Sequence, residues 1–245
     1  MRLSERLQTI ADQVNPGESV ADIGTDHGFL PIYLTQTQKS PKVVLSDISG
    51  ESLKKALTDC KEYMPSKEFD LREGNGLKVL KPGEVDTVVI AGMGGILISE
   101  IIKSDLEHAR TFARYILQPR NNIAKLRFSL NEIGFIIEKE IPVREGKYIP
   151  LVLTVASSGT DESADKRPLR EDVRWEYPDT LLRDRNKYTF EYLKREWSKH
   201  CAIKEKIEMN SVSGAEVGSA GKIRELEKKI LRLEFLMNGL KETED

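Results

Sequence analysis

Val20-Ala21-Asp22-Ile23-Gly24-Thr25-Asp26-His27-Gly28-Phe29-Leu30-Pro31 is the stretch that decides the fold. Its first four residues are apolar except for Asp22, and a glycine-rich turn follows without a break. A strand running directly into such a turn opens an α/β unit, in which ligands lie beyond the carboxyl ends of the strands where strand order reverses. Glycine there lets the backbone approach a ligand closely.

Outward from this turn, short apolar runs alternate with helical patterns. Strands are predicted at 43–46, 69–72, 85–91 and 115–118, and helices at 51–61, 96–103 and 123–133. Such alternation predicts parallel strands covered by helices. Residues 87–91 are almost wholly apolar, as a strand covered on both faces requires. Upstream, Leu3, Leu7, Ile10, Ala11 and Val14 share one helical face, Ser4 is placed to cap it, and Asn15-Pro16-Gly17 stops it. Downstream, strands at 134–143 and 148–156 flank Arg144-Glu145-Gly146-Lys147, the pattern of an antiparallel hairpin closing an otherwise parallel sheet.

The composition then changes. Residues 157–163 are small and polar and read as a linker. Beyond them, Ile223, Leu226, Ile230, Leu233, Met237 and Leu240 recur in alternating steps of three and four, a heptad seam. A second helix is predicted over 181–207, carrying Tyr192, Leu193, Trp197, Cys201, Ile203 and Ile207, with a glycine- and serine-bearing turn over 210–221. The expected organisation is therefore an α/β domain over 1–158 and a C-terminal helical, coiled-coil hairpin over 159–245.

The chain has 245 residues, 39% hydrophobic and 32% charged, with a net charge of −2. That length can bury a sizeable core, and that balance exerts no global pull on nucleic acid, so a basic surface has to be local. Two distant cysteines, Cys60 and Cys201, suggest neither a disulfide framework nor a metal site. No signal peptide and no membrane span are expected, which fits a cytoplasmic protein.

The chemistry lies at the predicted strand ends. The dinucleotide fingerprint is G-x-G-x-x-G, but Gly24 to Gly28 reads G-x-D-x-G with Asp22 beside it. Carboxylates at Asp22 and Asp26 repel a pyrophosphate and suit a ligand carrying an ammonium and a sulfonium, as S-adenosylmethionine does. A tight turn with Asp26 as helix cap explains the same residues without a ligand. Asp47, before Ile48, stands 23 residues beyond Gly24 (47 − 24), where an acidic residue meets ribose hydroxyls. Gly74-Asn75-Gly76 ends the third strand, with Asn75 able to meet an adenine amine. Ala91-Gly92-Met93-Gly94-Gly95 ends the fourth, with three glycines in four positions that let the backbone come close to a substrate. Gln118, Pro119, Arg120, Asn121 and Asn122 follow the fifth, amides and a cation that could read a base edge or hold the loop.

Taken together, these segments resemble the bacterial tRNA (adenine-22-N1)-methyltransferase family, which carries a DIGSDHAYLP-like first motif, a GDGL-like segment, an AGMGG loop, an LQP-N-like strand end and a helical tail. The resemblance covers essentially the whole chain. Gly28-Phe29 stands where Ala-Tyr is frequent, Asn75 replaces an Asp, and Arg120 separates Pro119 from Asn121. The resemblance implies a Rossmann-like class I methyltransferase sheet with a C-terminal helical hairpin, S-adenosylmethionine as cofactor, tRNA as partner, no metal, and a monomer. It implies cofactor contacts from Asp22, Gly24, Asp26, Gly28, Asp47, Ile48, Gly74, Asn75, Gly76, Ala91, Gly92 and Met93. It implies substrate contacts from Gly94, Gly95, Gln118, Pro119, Arg120 and Asn121. Asp26 would stabilise the cationic product base, and His27 would hydrogen-bond it or accept a proton.

An RNA path needs cations. Arg2, Arg6, Arg120, Arg127, Arg144 and Lys147 are candidates, with Arg167, Arg170, Arg174, Arg183, Arg185, Lys187, Lys194 and Arg195 in the tail beside Trp175, Tyr177 and Tyr188. From 165 to 245 there are 18 Lys/Arg and 17 Asp/Glu, a net of +1, so the tail is not broadly basic. Two other readings stay open: a methyltransferase for a small molecule or protein, and a non-catalytic RNA-binding module on the same fold.

Overall fold

The computed structural model describes residues 1–157, 169–212 and 219–241. The chain divides into two compact units, Met1–Asp165 and Lys166–Asp245. The predicted linker beyond Ser157 and the 158/159 boundary fall outside the described residues.

The first unit opens with α1 (Glu5–Gln13), where the Ser4 hydroxyl accepts a hydrogen bond from the Leu7 N–H. Seven strands follow: β1 (Val20–Ile23), β2 (Val43–Asp47), β3 (Asp70–Glu73), β4 (Thr87–Met93), β5 (Arg114–Pro119), β6 (Ile136–Pro142) and β7 (Leu151–Ala156). They form one sheet in the order β3-β2-β1-β4-β5-β7-β6. The β1–β2, β1–β4, β2–β3 and β4–β5 pairs are parallel, whereas β7 is antiparallel to both β5 and β6. The expected mixed sheet is present. From β1 the chain winds first toward β3 and then returns to β4, so β1 and β4 flank the switch point. Because β6 is thereby parallel to β5, the β6–β7 turn lies at the same carboxyl edge.

Helices α2 (Phe29–Gln36) and α3 (Gly50–Tyr63) join the strands on one side of the switch point, and α4 (Gly95–Lys103), α5 (Leu106–Ala109) and α6 (Ile123–Glu132) follow β4 and β5. Helix α2, implied by the cap expected at Asp26, received no bounds from the sequence because its eight residues, FLPIYLTQ, carry little amphipathic contrast; Leu30, Pro31, Ile32 and Leu34 are all buried. Its N-cap is Gly28, not Asp26, so the helix-cap explanation of Asp26 does not hold. One core cluster packs Ile10 of α1 and its C-cap Val14, Leu30 and Leu34 of α2 and Ala56 and Cys60 of α3 on Val20, Leu45, Val89 and Ile116 of the sheet.

In the second unit the expected helix over 181–207 is two helices, α7 (Thr180–Arg183) and α8 (Thr189–Val212). Asn186 makes the break: its side-chain oxygen accepts from the Tyr188 N–H while its own N–H donates to the Thr189 hydroxyl. Helix α9 (Ser219–Lys241) runs antiparallel to α8, since Trp197 bonds Glu234 and Lys204, one heptad on, bonds Glu227, one heptad back. Leu193, Leu226, Leu233, Leu236 and Leu240 are buried in this unit, so Leu236 joins the expected seam, whereas Ile203, expected inside, is 40% exposed. Part of the turn predicted over 210–221 lies outside the described residues.

Candidate active site at the strand ends

Register fixes which side chains share a face. Asp22 is paired with Leu45 and Val89, and Ala91 with Gln118. Alternate residues of a strand share a face, so Asp22, Asp47, Ala91 and Gln118 stand on the face that α1, α2 and α3 cover, at the carboxyl edge of neighbouring strands.

Asp22 is 6% exposed and accepts a 2.8 Å hydrogen bond from the Thr25 hydroxyl. Burial pushes its carboxyl up to about 6; Thr25 and the Arg6 charge oppose the rise, and the Asp47 charge adds to it. A buried carboxylate that ionises near neutrality is a place for a cation. Asp47 accepts the Ser49 N–H through Oδ1 at 2.9 Å, while its backbone oxygen receives the Gly74 N–H at 3.0 Å, tying the ends of β2 and β3 together. Ile48, next in the chain, is 68% exposed. Asn75 is exposed and begins the 3-10 turn Gly76–Val79 without a side-chain cap bond.

Gly24 is required by geometry. Its φ is +80°, and a Cβ there would lie 2.2 Å from the Met93 methyl, so the end of β4 rests on the turn after β1. The crevice residues Asp22, Gly24, Asp47, Ile48, Asn75, Ala91 and Met93 are thus brought together at the ends of β1 to β4. Three more of the glycines expected to contact the cofactor also face packed side chains. Gly28 faces Leu45 and Ala56, Gly74 faces Val79, and Gly76 faces Ile101. At Gly95 a Cβ would meet the backbone oxygens of Asn121 and Asn122 at 2.7 and 2.8 Å.

Asp26 and His27 are exposed on the outer rim against α3. His27 Nδ1 lies 2.8 Å from Asp59 Oδ2, and its ring stacks on Phe29 at 5.2 Å. Asp26 lies 4.0 Å from His27 Nε2 and 3.9 Å from Lys55 Nζ.

On the β5 side, the Arg120 guanidinium passes over Gly92, 3.5 Å from where a Cβ would stand, and among the described residues it has no ion-pair partner. Asn121 Oδ1 is 3.1 Å from the Cβ position of Gly94 and receives the Asn122 side-chain N–H. Pro119 pairs with Met93 and is buried. Gln118 is 3% exposed and both ends of its amide are engaged: Nε2 donates to Pro119 O and Oε1 accepts from Arg6.

Arg6 is the residue the sequence reading undervalued, placing it only on an RNA path. Its Nη1 donates to Gln118 at 3.2 Å and its Nε to Glu145 at 2.5 Å, so α1, β5 and the β6–β7 turn meet at one guanidinium. The available signal was a cation adjoining the Leu3–Leu7–Ile10 stripe. Beside Glu145 the same turn holds Tyr148, 64% exposed.

Two RNA-path candidates are corrected. Arg127 is 1% exposed and paired with Glu140 in the interior, and Tyr177 is 3% exposed, bonded to Glu196 and His200. Arg174, Arg183 and Arg195 pair with Asp172, Asp184 and Glu191. Arg167 lies outside the described residues. Among the described residues no cluster of three or more His, Cys, Asp or Glu could hold a metal, and no helix is long and apolar enough to cross a membrane.

Residues 3–153 match the family model described as a methyltransferase domain. The chain is 31% identical over 165 residues to the tRNA (adenine(22)-N(1))-methyltransferase of Bacillus subtilis, covering 67% of this chain and 69% of that protein. It superimposes on the crystal structure of the B. subtilis m1A22 tRNA methyltransferase TrmK with a TM-score of 0.80 and 27% identity, over 96% of this chain and 99% of that one. The structure of M. capricolum TrmK bound to S-adenosylhomocysteine is similar at a TM-score of 0.77 and 25% identity, over 98% and 100% of the two chains.

Proposed function

Because the chain belongs to the tRNA (adenine-22-N1)-methyltransferase family, on the class I methyltransferase fold, we infer that it transfers the methyl group of S-adenosylmethionine to N1 of adenine 22 in tRNA. The observation that carries this reading is the pair Asp22 and Asp47, two strand-end carboxylates on one sheet face beside the switch point.

The donor set suits the cofactor. Asp22 is buried and acidic where an ammonium is needed, and Asp47 has one carboxylate oxygen without a hydrogen bond among the described residues, available to ribose hydroxyls. Ile48 offers an apolar surface to a flat purine, and Asn75 an amide to its exocyclic amine. When bound, S-adenosylmethionine supplies an electrophilic methyl on a sulfonium. The protein then has little proton chemistry to do, since adenine N1 already carries a lone pair. Its task is to hold N1 in line with that methyl and to exclude water.

N1 lies on the pairing edge, so the target base has to leave its stack. Arg120, over Gly92, is placed for the phosphate of that nucleotide, and Tyr148 offers an exposed ring at the same carboxyl edge. Asp26 faces the positive charge that appears on the methylated base. The helical unit supplies further contacts to the tRNA through exposed cations such as Lys194, and the protein acts as a monomer where tRNA is matured, in the cytoplasm.

Labelled S-adenosylmethionine and unmodified tRNA transcripts test the reading, with adenine 22 replaced in a second transcript. Incorporation into the first alone is expected. Equal incorporation into both overturns the assignment to position 22, and incorporation into neither overturns the activity.

A further inference from the structure

The methionyl end of the cofactor is a zwitterion, and the crevice described so far answers only its positive half. Asp22, Asp47 and Asp26 all carry carboxyl side chains, which offer no attraction to the carboxylate that sits one carbon from the ammonium. A group that accepts the whole zwitterion has to place a cation close to Asp22.

Arg6 is that cation. It is electrostatically coupled to Asp22 and sits on α1, which packs on the sheet face that carries Asp22, Ala91 and Gln118. A guanidinium has five N–H donors. Two of them are engaged, Nε on Glu145 Oε1 at 2.5 Å and Nη1 on Gln118 Oε1 at 3.2 Å. Three further donors, both hydrogens of Nη2 and one of Nη1, have no acceptor among the described residues and can meet a carboxylate. The two engaged donors fix the plane of the fork. Gln118 is 3% exposed and is itself held by Pro119, and the Arg6 side chain is only 20% exposed, so the guanidinium stands ordered before any ligand arrives.

We propose that Arg6 binds the carboxylate of the cofactor's methionyl group, and that Gln118 and Glu145 are positioning residues that aim its guanidinium. The proposal rests on the S-adenosylmethionine reading of the crevice and adds a recognition element on α1, outside the strand-end motifs.

Calorimetry with two ligands separates this role from general support of the site. S-adenosylmethionine carries the carboxylate; its decarboxylated analogue keeps the adenosine, sulfonium and ammonium but lacks it. Arg6→Gln is expected to weaken S-adenosylmethionine binding about 10- to 100-fold, the worth of a charge-assisted bidentate bond, and to leave the analogue bound as well as before or more tightly. Arg6→Lys should recover part of the loss, and Glu145→Gln should cost S-adenosylmethionine a smaller factor than Arg6→Gln. An equal loss for both ligands in Arg6→Gln and Arg6→Lys, or no loss for either, overturns the proposal. Wild-type protein that binds neither ligand overturns the cofactor reading itself.

Discussion

Thr25 Oγ1 donates a 2.8 Å hydrogen bond to Asp22 Oδ2, and both residues are closed off from solvent, at 8% and 6% exposure. One hydroxyl does not replace the water a carboxylate loses on burial, which is why the Asp22 carboxyl is raised from 3.8 to about 6 despite the bond.

Binding of a cationic ligand at Asp22 therefore depends on pH. Ionised Asp22 is the binding form, so S-adenosylmethionine affinity should rise as pH increases through about 6 and level off above 7. Stability of the ligand-free protein moves the other way at this residue. A carboxyl whose folded pKa exceeds its unfolded value stabilises the fold fully below about pH 4, and that contribution is lost as pH rises through about 6. The rise from 3.8 to about 6 corresponds to ~3 kcal/mol. Asp22→Asn should then become more stable relative to wild type as pH rises from 4 to 7, while its cofactor affinity is low and flat with pH. Denaturant titrations and calorimetry at several pH values check both signs; parallel stability curves for the two proteins would refute the account.

Arg120 places over Gly92 a guanidinium that has no ion-pair partner among the described residues. If it meets a phosphate of the target strand, Arg120→Gln raises the KM for tRNA roughly 5- to 10-fold and lowers the salt dependence of binding by about one phosphate contact. Cofactor affinity stays unchanged. Filter binding over a range of salt concentrations, with calorimetry on the cofactor, measures both quantities, and an unaltered salt slope would remove Arg120 from the RNA path.

Gly95 has a different reason for being glycine. Backbone oxygens of Asn121 and Asn122 occupy the space a Cβ would need, and neither can swing aside as a side chain could. Gly95→Ala should cost about 1–3 kcal/mol by overpacking the junction of α4 with the loop after β5. Chemical denaturation measures the loss, and a fully stable variant would show that the loop yields.

The sheet was legible because its signals are local: apolar runs, alternating helices and glycine turns at each strand end. Asp22, Asp47 and Asn75 could be placed for the same reason, each standing within two residues of a strand end. Arg6 could not be given its place, since its partners Gln118 and Glu145 are 112 and 139 residues away and only the closed sheet brings them together. Periodicity likewise cannot tell an exposed arginine from a buried one. Arg127 occupies α6 as an ordinary helical cation would, but the facing Glu140 of β6 draws it into the interior. Within the helical unit the heptad spacing identified the α9 seam, yet the Asn186 side-chain bonds that separate α7 from α8 cut across the period that suggested one helix.

His27 and Asp26 were both expected to do chemistry, and their surroundings separate them. His27 Nδ1 is held by Asp59 at 2.8 Å and the ring is stacked on Phe29, contacts that anchor the turn to α3. Asp26 is exposed and, among the described residues, has only long ionic contacts, 3.9 Å to Lys55 and 4.0 Å to His27. A nucleophile that already has its lone pair needs no base, whereas a base that becomes cationic gains from a nearby negative charge. Asp26→Asn should therefore slow single-turnover methyl transfer roughly 10-fold, with cofactor affinity close to wild type. His27→Gln should leave the single-turnover rate within about 3-fold, and any change should appear as lost thermal stability, on the order of 1 kcal/mol for one exposed hydrogen-bonded contact. The reverse pattern, a large rate loss in His27→Gln with a pH–rate profile that loses its acid limb, would make His27 the proton acceptor and Asp26 a bystander.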